Sequence, residues 1–217
     1  MQGFDLEMVW LEAGAHPDSP DGCLMEWVAL LSGLPKTDRP RCINELVTSV
    51  AIHLNDTLDE SSRQRLKEFI PRLLKARRGP ADTRIGVRLA IWAASSIADS
   101  APARYRSAQQ EAVAAATGRL DGSVDEETCR RAASTAAELG AKVKNIALYV
   151  AADAADAACA EDPRGGTVNA VSGALQWVLR HGDPLTWFAG FLDAHAAAAA
   201  LEAPAVPDSK DVVCSPV

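Results

Sequence analysis

The chain has 217 residues, of which 48% are hydrophobic but only 5% aromatic, so alanine supplies much of its apolar content. Its formal charge of -7 argues against a duplex nucleic-acid interface, because such surfaces are usually basic and gain affinity by releasing counterions from phosphates. No apolar run approaches the roughly 20 residues that span a bilayer, and the first ten residues lack the basic start of a signal peptide. We therefore expect a cytoplasmic protein.

Cysteine usage agrees with that compartment. The cysteines are odd in number and widely scattered, at Cys23, Cys42, Cys129, Cys159 and Cys214. This pattern does not match a disulfide framework, so reduced thiols in a cytosol are expected.

The first predicted elements surround a loop. Residues 4–13 are predicted to form either a short helix or an extended arm, and residues 14–22 are dense in Pro, Gly and Asp, which is typical of a loop. The apolar spacing after this loop predicts a helix that begins at Cys23 and ends at Gly33 and Pro35.

Two more helices are predicted before residue 80. Large apolar residues at helical spacing predict one over residues 43–56. Another begins near Asp59, and Pro71 predicts a kink or a fresh start because it lacks an amide hydrogen and clashes with the preceding turn.

Alanine-rich helices follow from residue 81. Asp82 is predicted to cap the first of them, and a short helix then ends at Gly118. Ser123 and Glu126 have the spacing of a capping box, in which a hydroxyl and a carboxylate bond to each other's backbone amides.

That capping box would begin a helical run that reaches about Cys159 and breaks at Gly140. Gly165–Gly166 and residues 181–184 separate two further helices. The tail after Pro204 has little periodicity and is predicted to be disordered.

These elements predict an all-α fold, a multi-helix bundle of about seven to nine helices with no strand of any length. The expected organisation is a helical subdomain over residues 1–79, an alanine-rich bundle over 80–203 and a tail over 204–217. We expect the two helical parts to pack as one unit.

One polar cluster has the residue types of a catalytic site. A thiol at a helix N-terminus can have a lowered pKa, and His16 could act as its base, so His16, Cys23 and Glu26 resemble a nucleophile pair with an acid. The favoured alternative is structural, with Cys23 a buried small residue, Glu26 a first-turn acid and His16 tying down its loop. No oxyanion-hole signature accompanies the cluster.

A zinc site made from His16, Cys23 and Cys42 is a weaker hypothesis. Structural zinc sites usually have tight ligand pairs such as C-x2-C, and these residues are widely spaced with no obvious fourth ligand. We therefore expect neither a metal nor a cofactor.

Other residues are candidates for binding. Asp38, Arg39 and Cys42 extend the polar cluster, while Asn55 and Asp56 are candidates whose favoured alternative is a helix C-terminal cap. Trp177 and Trp187 could wall a ligand pocket, although filling gaps left by alanine packing is the favoured interpretation.

Residues 16–78 resemble the opening domain of uncharacterised actinobacterial helical proteins with the pattern H…GxCxMExVAxLAGE…SDxPxC…LND. The motif positions in this chain are His16, Gly22, Cys23, Met25, Glu26, Asp38, Pro40, Cys42, Asn55 and Asp56. The chain departs from the pattern at Leu34, where the family has Glu. Residues 82–160 loosely resemble alanine-rich helical proteins described as immunity proteins.

The leading hypothesis is a helical protein that binds a protein partner or a small molecule, in self-protection or as a biosynthetic accessory. An enzyme using His16, Cys23 and Glu26 is the first alternative, and a structural zinc module is the second. Neither duplex nucleic acid nor a membrane is expected as a partner, and a homodimer is left open.

Overall fold

The computed structural model describes residues 6–16 and 18–203, and every regular element in that part of the chain is helical. The prediction of an all-α bundle is confirmed. Strand-like pairing in the described residues is confined to two isolated bridges, Leu11 with Gly22 and Ile43 with Arg77. The α-helices are α1 Leu24–Leu31, α2 Glu45–Thr57, α3 Glu60–Arg65, α4 Ile70–Leu73, α5 Asp82–Ser96, α6 Arg106–Asp121, α7 Glu126–Val143, α8 Ile146–Cys159, α9 Arg164–His181 and α10 Pro184–Glu202.

The chain divides into two compact units, Met1–Pro80 with Pro204–Val217 and Ala81–Ala203. We call them unit 1 and unit 2. The disordered tail predicted after Pro204, with Cys214, lies outside the described residues.

Unit 1 has a core of large aliphatic side chains. Their helical spacing buries one face of each helix, including Leu24 and Val28 on α1 and Leu54 on α2. The predicted fresh start near Pro71 is confirmed: a 3-10 turn over Leu66–Phe69 precedes α4, and Pro71 lies in the first turn of α4, where its missing amide hydrogen is not needed.

Unit 2 is built around α8, which packs against α5, α6, α7 and α9. Alanines are buried around most of its circumference, as expected for a central helix. Small residues allow the neighbouring helices to approach α8 closely. A Cβ added to Gly166 on α9 would lie 2.7 Å from the carbonyl oxygen of Asp153 on α8. The prediction that Gly165–Gly166 separates helices is therefore wrong, since both glycines lie within α9.

Other boundaries also differ from prediction. Helix α6 continues through Gly118, where a Cβ would lie 2.5 Å from Val124 Cγ2, and it ends at Asp121, with Gly122 as its left-handed C-cap at φ 82°. The cap of α7 is Asp125, which accepts a hydrogen bond from Thr128 N, so the predicted Ser123–Glu126 capping box is wrong.

The break predicted at Gly140 falls later, between Val143 and Ile146. Lys144 adopts a left-handed φ of 52°, and Asn145 caps α8 by accepting hydrogen bonds from Ala147 N and Leu148 N. Asp82 is the first residue of α5 rather than its cap.

A buried histidine lies on α10. His195 is packed in the core, and its buried Nε2 atom has no hydrogen-bond partner. Burial lowers its pKa, and the charge of Asp82 opposes that shift. None of the described helices is long and apolar enough to cross a membrane.

Asp153 on α8 gives a prediction about stability and pH. Burial, followed by the charge of Asp156, raises its pKa from 3.8 to about 6. The folded state therefore holds the proton more tightly than the unfolded state, and stability is lost as pH rises through about 6. We expect Asp153→Asn to raise the free energy of unfolding at pH 7.5 by about 1 kcal/mol, since residual solvent contact screens part of the shift.

Urea titrations at pH 7.5 and pH 4 measure this difference, which should largely vanish at the lower pH. Asp121→Asn is the control, because a hydrogen bond from Ser123 lowers the pKa of that exposed carboxyl and the substitution should act in the opposite direction. An Asp153→Asn protein no more stable than wild type at pH 7.5 would contradict the assignment.

Candidate functional site

Glu26, in the first turn of α1, is a buried acid with two backbone partners. Its Oε1 accepts from His16 N at 2.9 Å and its Oε2 accepts from Cys23 N at 2.8 Å. The second bond is the carboxylate half of a capping box. The side chain therefore fastens the segment before α1, residues 9–16 and 18–22, which we call the arm.

Asn55 fastens the same arm from α2. Its Oδ1 accepts from Leu24 N at 3.1 Å, and its Nδ2 donates to Glu12 O at 2.7 Å and to Asp56 Oδ1 at 3.2 Å. Asp56 Oδ1 also accepts from Gly14 N at 2.8 Å. The interpretation of Asn55–Asp56 as a C-terminal cap is wrong, because α2 continues to Thr57 and the amide of Asn55 joins three segments.

Lys36 was not among the predicted site residues, yet its ammonium group organises the loop of the arm. It donates to the carbonyl oxygens of His16, Ser19 and Asp21, the last two at 2.7 and 2.5 Å. Hydrogen bonds from a charged donor are stronger than neutral ones. No local pattern identifies this lysine, because its partners lie 15 to 20 residues earlier.

Gln64 on α3 was also missed. Its Oε1 accepts from Leu11 N at 3.1 Å and its Nε2 donates to Leu11 O at 2.8 Å, so one side chain satisfies both backbone groups of a buried residue. Together, Glu26, Asn55, Lys36 and Gln64 form what we call the arm clamp.

The environment of Cys23 disfavours the thiolate form that a cysteine nucleophile needs. Its side chain is buried, and burial raises the pKa of the thiol to about 12, with the charge of Glu26 adding to the rise. The His16 ring faces Ala13 O, 2.7 Å from Nε2, and Glu12, 3.5 Å from Nδ1. This burial agrees with the favoured structural interpretation of Cys23 and disfavours a thiol activated by the helix dipole, since loss of solvation outweighs the dipole.

The described residues also lack the arrangement of ligands that the zinc hypothesis needs. Within the described residues, no group of three or more His, Cys, Asp or Glu side chains could hold a metal ion. Cys42 is half-buried, and its carbonyl oxygen accepts from Arg78 N at 2.9 Å. Asp38 is half-buried and Arg39 exposed, both on the loop between α1 and α2.

The two candidate tryptophans lie in unit 2. Trp187 is buried, stacks on Phe191 at 5.5 Å between ring centroids and donates from Nε1 to Ser96 Oγ at 2.9 Å. Trp177 is half-buried, and its ring centroid lies 5.4 Å from that of His181. Trp187 therefore belongs to the core rather than to the wall of an open pocket.

Gly22 gives a test of the arm clamp. A Cβ added there would lie 2.9 Å from Glu26 Oε2 and 3.0 Å from Lys36 Cε, so both side chains would have to shift. We expect Gly22→Ala to lower the free energy of unfolding by about 1–3 kcal/mol, the range for overpacking a filled site.

Urea unfolding measures this change, with Gly79→Ala as the matched control. Nothing lies within 4 Å of a Cβ added to Gly79, so that substitution should leave stability nearly unchanged. Equal effects of the two substitutions would show that the space beside Gly22 is not filled as described.

Comparisons with known proteins find no relative: no family model, no curated protein and no solved structure matches the chain. The resemblance of residues 16–78 to actinobacterial helical proteins therefore stays a prediction, as does the looser resemblance of residues 82–160 to immunity proteins.

Proposed function

We propose that the chain is a binding protein that recognises a protein partner through a surface presented by the arm. The observation that supports this proposal is the exposure of Trp10, half of whose surface faces solvent although its neighbours Val9 and Leu11 are buried. An indole left exposed on a segment that is otherwise fastened to the core is typical of a protein interface.

Other large apolar side chains are exposed near Trp10 in the sequence and on α1, whose Trp27 bonds to the Trp10 carbonyl. Met8 is 77% exposed, and Leu30 on α1 is 41% exposed. Trp27 donates from Nε1 to Trp10 O at 3.1 Å, and Leu30 follows Trp27 by one helical turn, so the two share a helix face. We call Met8, Trp10, Trp27 and Leu30 the Trp10 surface.

The arm clamp supports binding because it orders this surface in advance. Gln64 bonds to both backbone groups of Leu11, directly after Trp10, and Asn55 bonds to Glu12 O. A partner that covers Trp10 would not have to order the arm on binding, so less of the interaction energy would be lost. Tryptophan is also among the residues that most often carry interface energy.

The polar motif is explained by the same proposal. Its functional groups bond to the chain's own backbone, and the Cys23 thiol is buried with a raised pKa, so the motif serves to build the surface rather than to react with a substrate. The biological setting that we propose is the one expected from the sequence, self-protection or an accessory role in biosynthesis, in which the partner is another protein.

Photo-crosslinking tests the proposal directly. p-Benzoylphenylalanine is placed at position 10, or at position 168 as the control, because Val168 is an equally exposed apolar residue of unit 2. In cells that naturally produce the chain, irradiation should give one discrete adduct from position 10 and none from position 168.

Competition by excess unlabelled chain separates specific from adventitious capture. Wild-type protein should abolish the adduct, and Trp10→Ala should not. That variant should fold normally because Trp27 bonds to the backbone carbonyl of residue 10 rather than to its side chain. No adduct, or equal competition by both proteins, would overturn the proposal, and an adduct with a second copy would identify a homodimer as the complex.

A further inference from the structure

Two cysteines in unit 2 lie on neighbouring helices at matching positions. Cys129 is in the first turn of α7 and Cys159 is the last residue of α8, and each lies 15 residues from Lys144, where the chain turns between the helices. In two antiparallel helices joined by a short turn, residues equally distant from the turn lie opposite one another. Both thiols are free.

Each sulfur atom contacts a backbone carbonyl oxygen of the helix that carries the other cysteine. Cys129 Sγ lies 3.5 Å from Ala155 O, the carbonyl to which the amide of Cys159 bonds in a regular α-helix. Cys159 Sγ lies 3.9 Å from Glu126 O, one turn before Cys129. Burial, followed by the hydrogen bond to Cys159 and its charge, raises the pKa of Cys129 to about 12.

The two thiols differ in access to solvent. Cys129 is fully buried, whereas Cys159 is 8% exposed and lines a surface pocket of about 380 Å³ together with Arg130, Asp156 and Ala160. A small reagent in that pocket would meet Cys159 first. Cys129 lies behind it, placed to act second.

We propose that Cys129 and Cys159 form a redox-active dithiol, which a low-molecular-weight disulfide entering the pocket at Cys159 converts to an intramolecular disulfide. The Cys159 thiolate attacks one sulfur of the reagent, the reagent's S–S bond breaks, and one thiolate leaves. The Cys129 thiol, whose raised pKa is offset by its fixed position beside Cys159, then attacks Cys159 Sγ; its proton passes to the departing thiolate, which leaves as the second thiol. Two cysteines are oxidised and one disulfide is reduced to two thiols.

The bond would join α7 to α8 at the open end of their helical pair, opposite the turn at Lys144. Such a link removes conformational freedom from the unfolded chain, so the oxidised protein should be the more stable form. A reducing cytosol keeps the pair as thiols, and the bond would form when the disulfide content of the cell rises.

Oxidised glutathione tests the proposal on the full-length chain. After incubation, acid quenching and digestion, mass spectrometry should find a peptide pair linked through Cys129 and Cys159, with no glutathione retained on either of these two cysteines. The Tm should rise by roughly 5–10 °C and return to its original value with dithiothreitol. Cys23→Ser should behave as wild type.

Single variants separate the roles of the two thiols. In Cys129→Ser, or in Cys129→Ala if the first folds poorly, the reaction should stop at a glutathione adduct on Cys159. In Cys159→Ser, Cys129 should remain unmodified. A wild-type protein that forms no link, or a Cys159→Ser protein in which Cys129 still reacts, would overturn the proposal.

Discussion

Trp187→Ala is expected to lower the free energy of unfolding of unit 2 by about 3–5 kcal/mol, the range for removing a large aromatic side chain from a core. Its ring lies 5.2 Å from that of Trp92 on α5 and 5.5 Å from that of Phe191, and its Nε1 bonds to Ser96 on α5. Alanine at this position would leave a cavity where α10 meets α5 and would remove the hydrogen bond to Ser96 Oγ, which still donates to Ala93 O. Urea unfolding followed by circular dichroism measures the loss.

Two further variants separate packing from hydrogen bonding. Trp187→Phe keeps most of the packing and removes only the bond to Ser96, so it should lower the free energy of unfolding by about 1 kcal/mol. Trp177→Ala, the same substitution at a half-buried position, should have less than half the effect of Trp187→Ala. A Trp187→Ala protein with the stability of wild type would show that this ring is not part of the core.

Asn55→Ala has the second largest expected effect, a loss of about 3 kcal/mol in unit 1. The side chain is fully buried, and its removal leaves Leu24 N and Glu12 O without their partners. Each buried backbone group left unsatisfied costs about 1–3 kcal/mol. We also expect the arm to loosen, so its amides should exchange hydrogen for deuterium faster than those of α2.

Asp56→Ala is the matched control, because Asp56 is the next residue and belongs to the same hydrogen-bond network but is exposed. Water can replace Asp56 as the acceptor for Gly14 N, so Asp56→Ala should lower the free energy of unfolding by less than about 1 kcal/mol. Asn55→Asp should lower stability at least as much as Asn55→Ala, because it places a buried carboxylate oxygen against Glu12 O and the Asp56 carboxylate. Equal, small effects for all three would contradict the arm clamp.

The helices could be predicted from the sequence because a buried helix face leaves a local signal, a 3.6-residue period of apolar side chains. The glycine pattern predicts helix boundaries at Gly118 and Gly165–Gly166, but Gly118 and Gly166 each lie inside a helix where a neighbouring group leaves no room for a Cβ. For Gly166 that neighbour is Asp153 O on another helix, which the local sequence does not reveal.

The sequence identifies the polar motif and favours a structural role for it, but it does not reveal how the motif is held together. The thiol of Cys23 at a helix N-terminus indicates reactivity only if solvent can reach it, and Cys23 is buried in the folded chain. Lys36 and Gln64 carry no motif, and Gln64 meets Leu11 across 53 residues of sequence. Only the folded chain brings these side chains together.

In the folded chain the polar motif holds the arm and does not carry a reactive thiol. Pulsed iodoacetamide labelling from pH 6 to pH 10, with the Cys23 peptide followed by mass spectrometry, tests this role. We predict that Cys23 stays unlabelled across this range in the folded protein, and that labelling appears in urea and rises in the Asn55→Ala variant. Labelling of the folded wild-type protein with half its maximal rate below about pH 8 would indicate an activated nucleophile and contradict the claim.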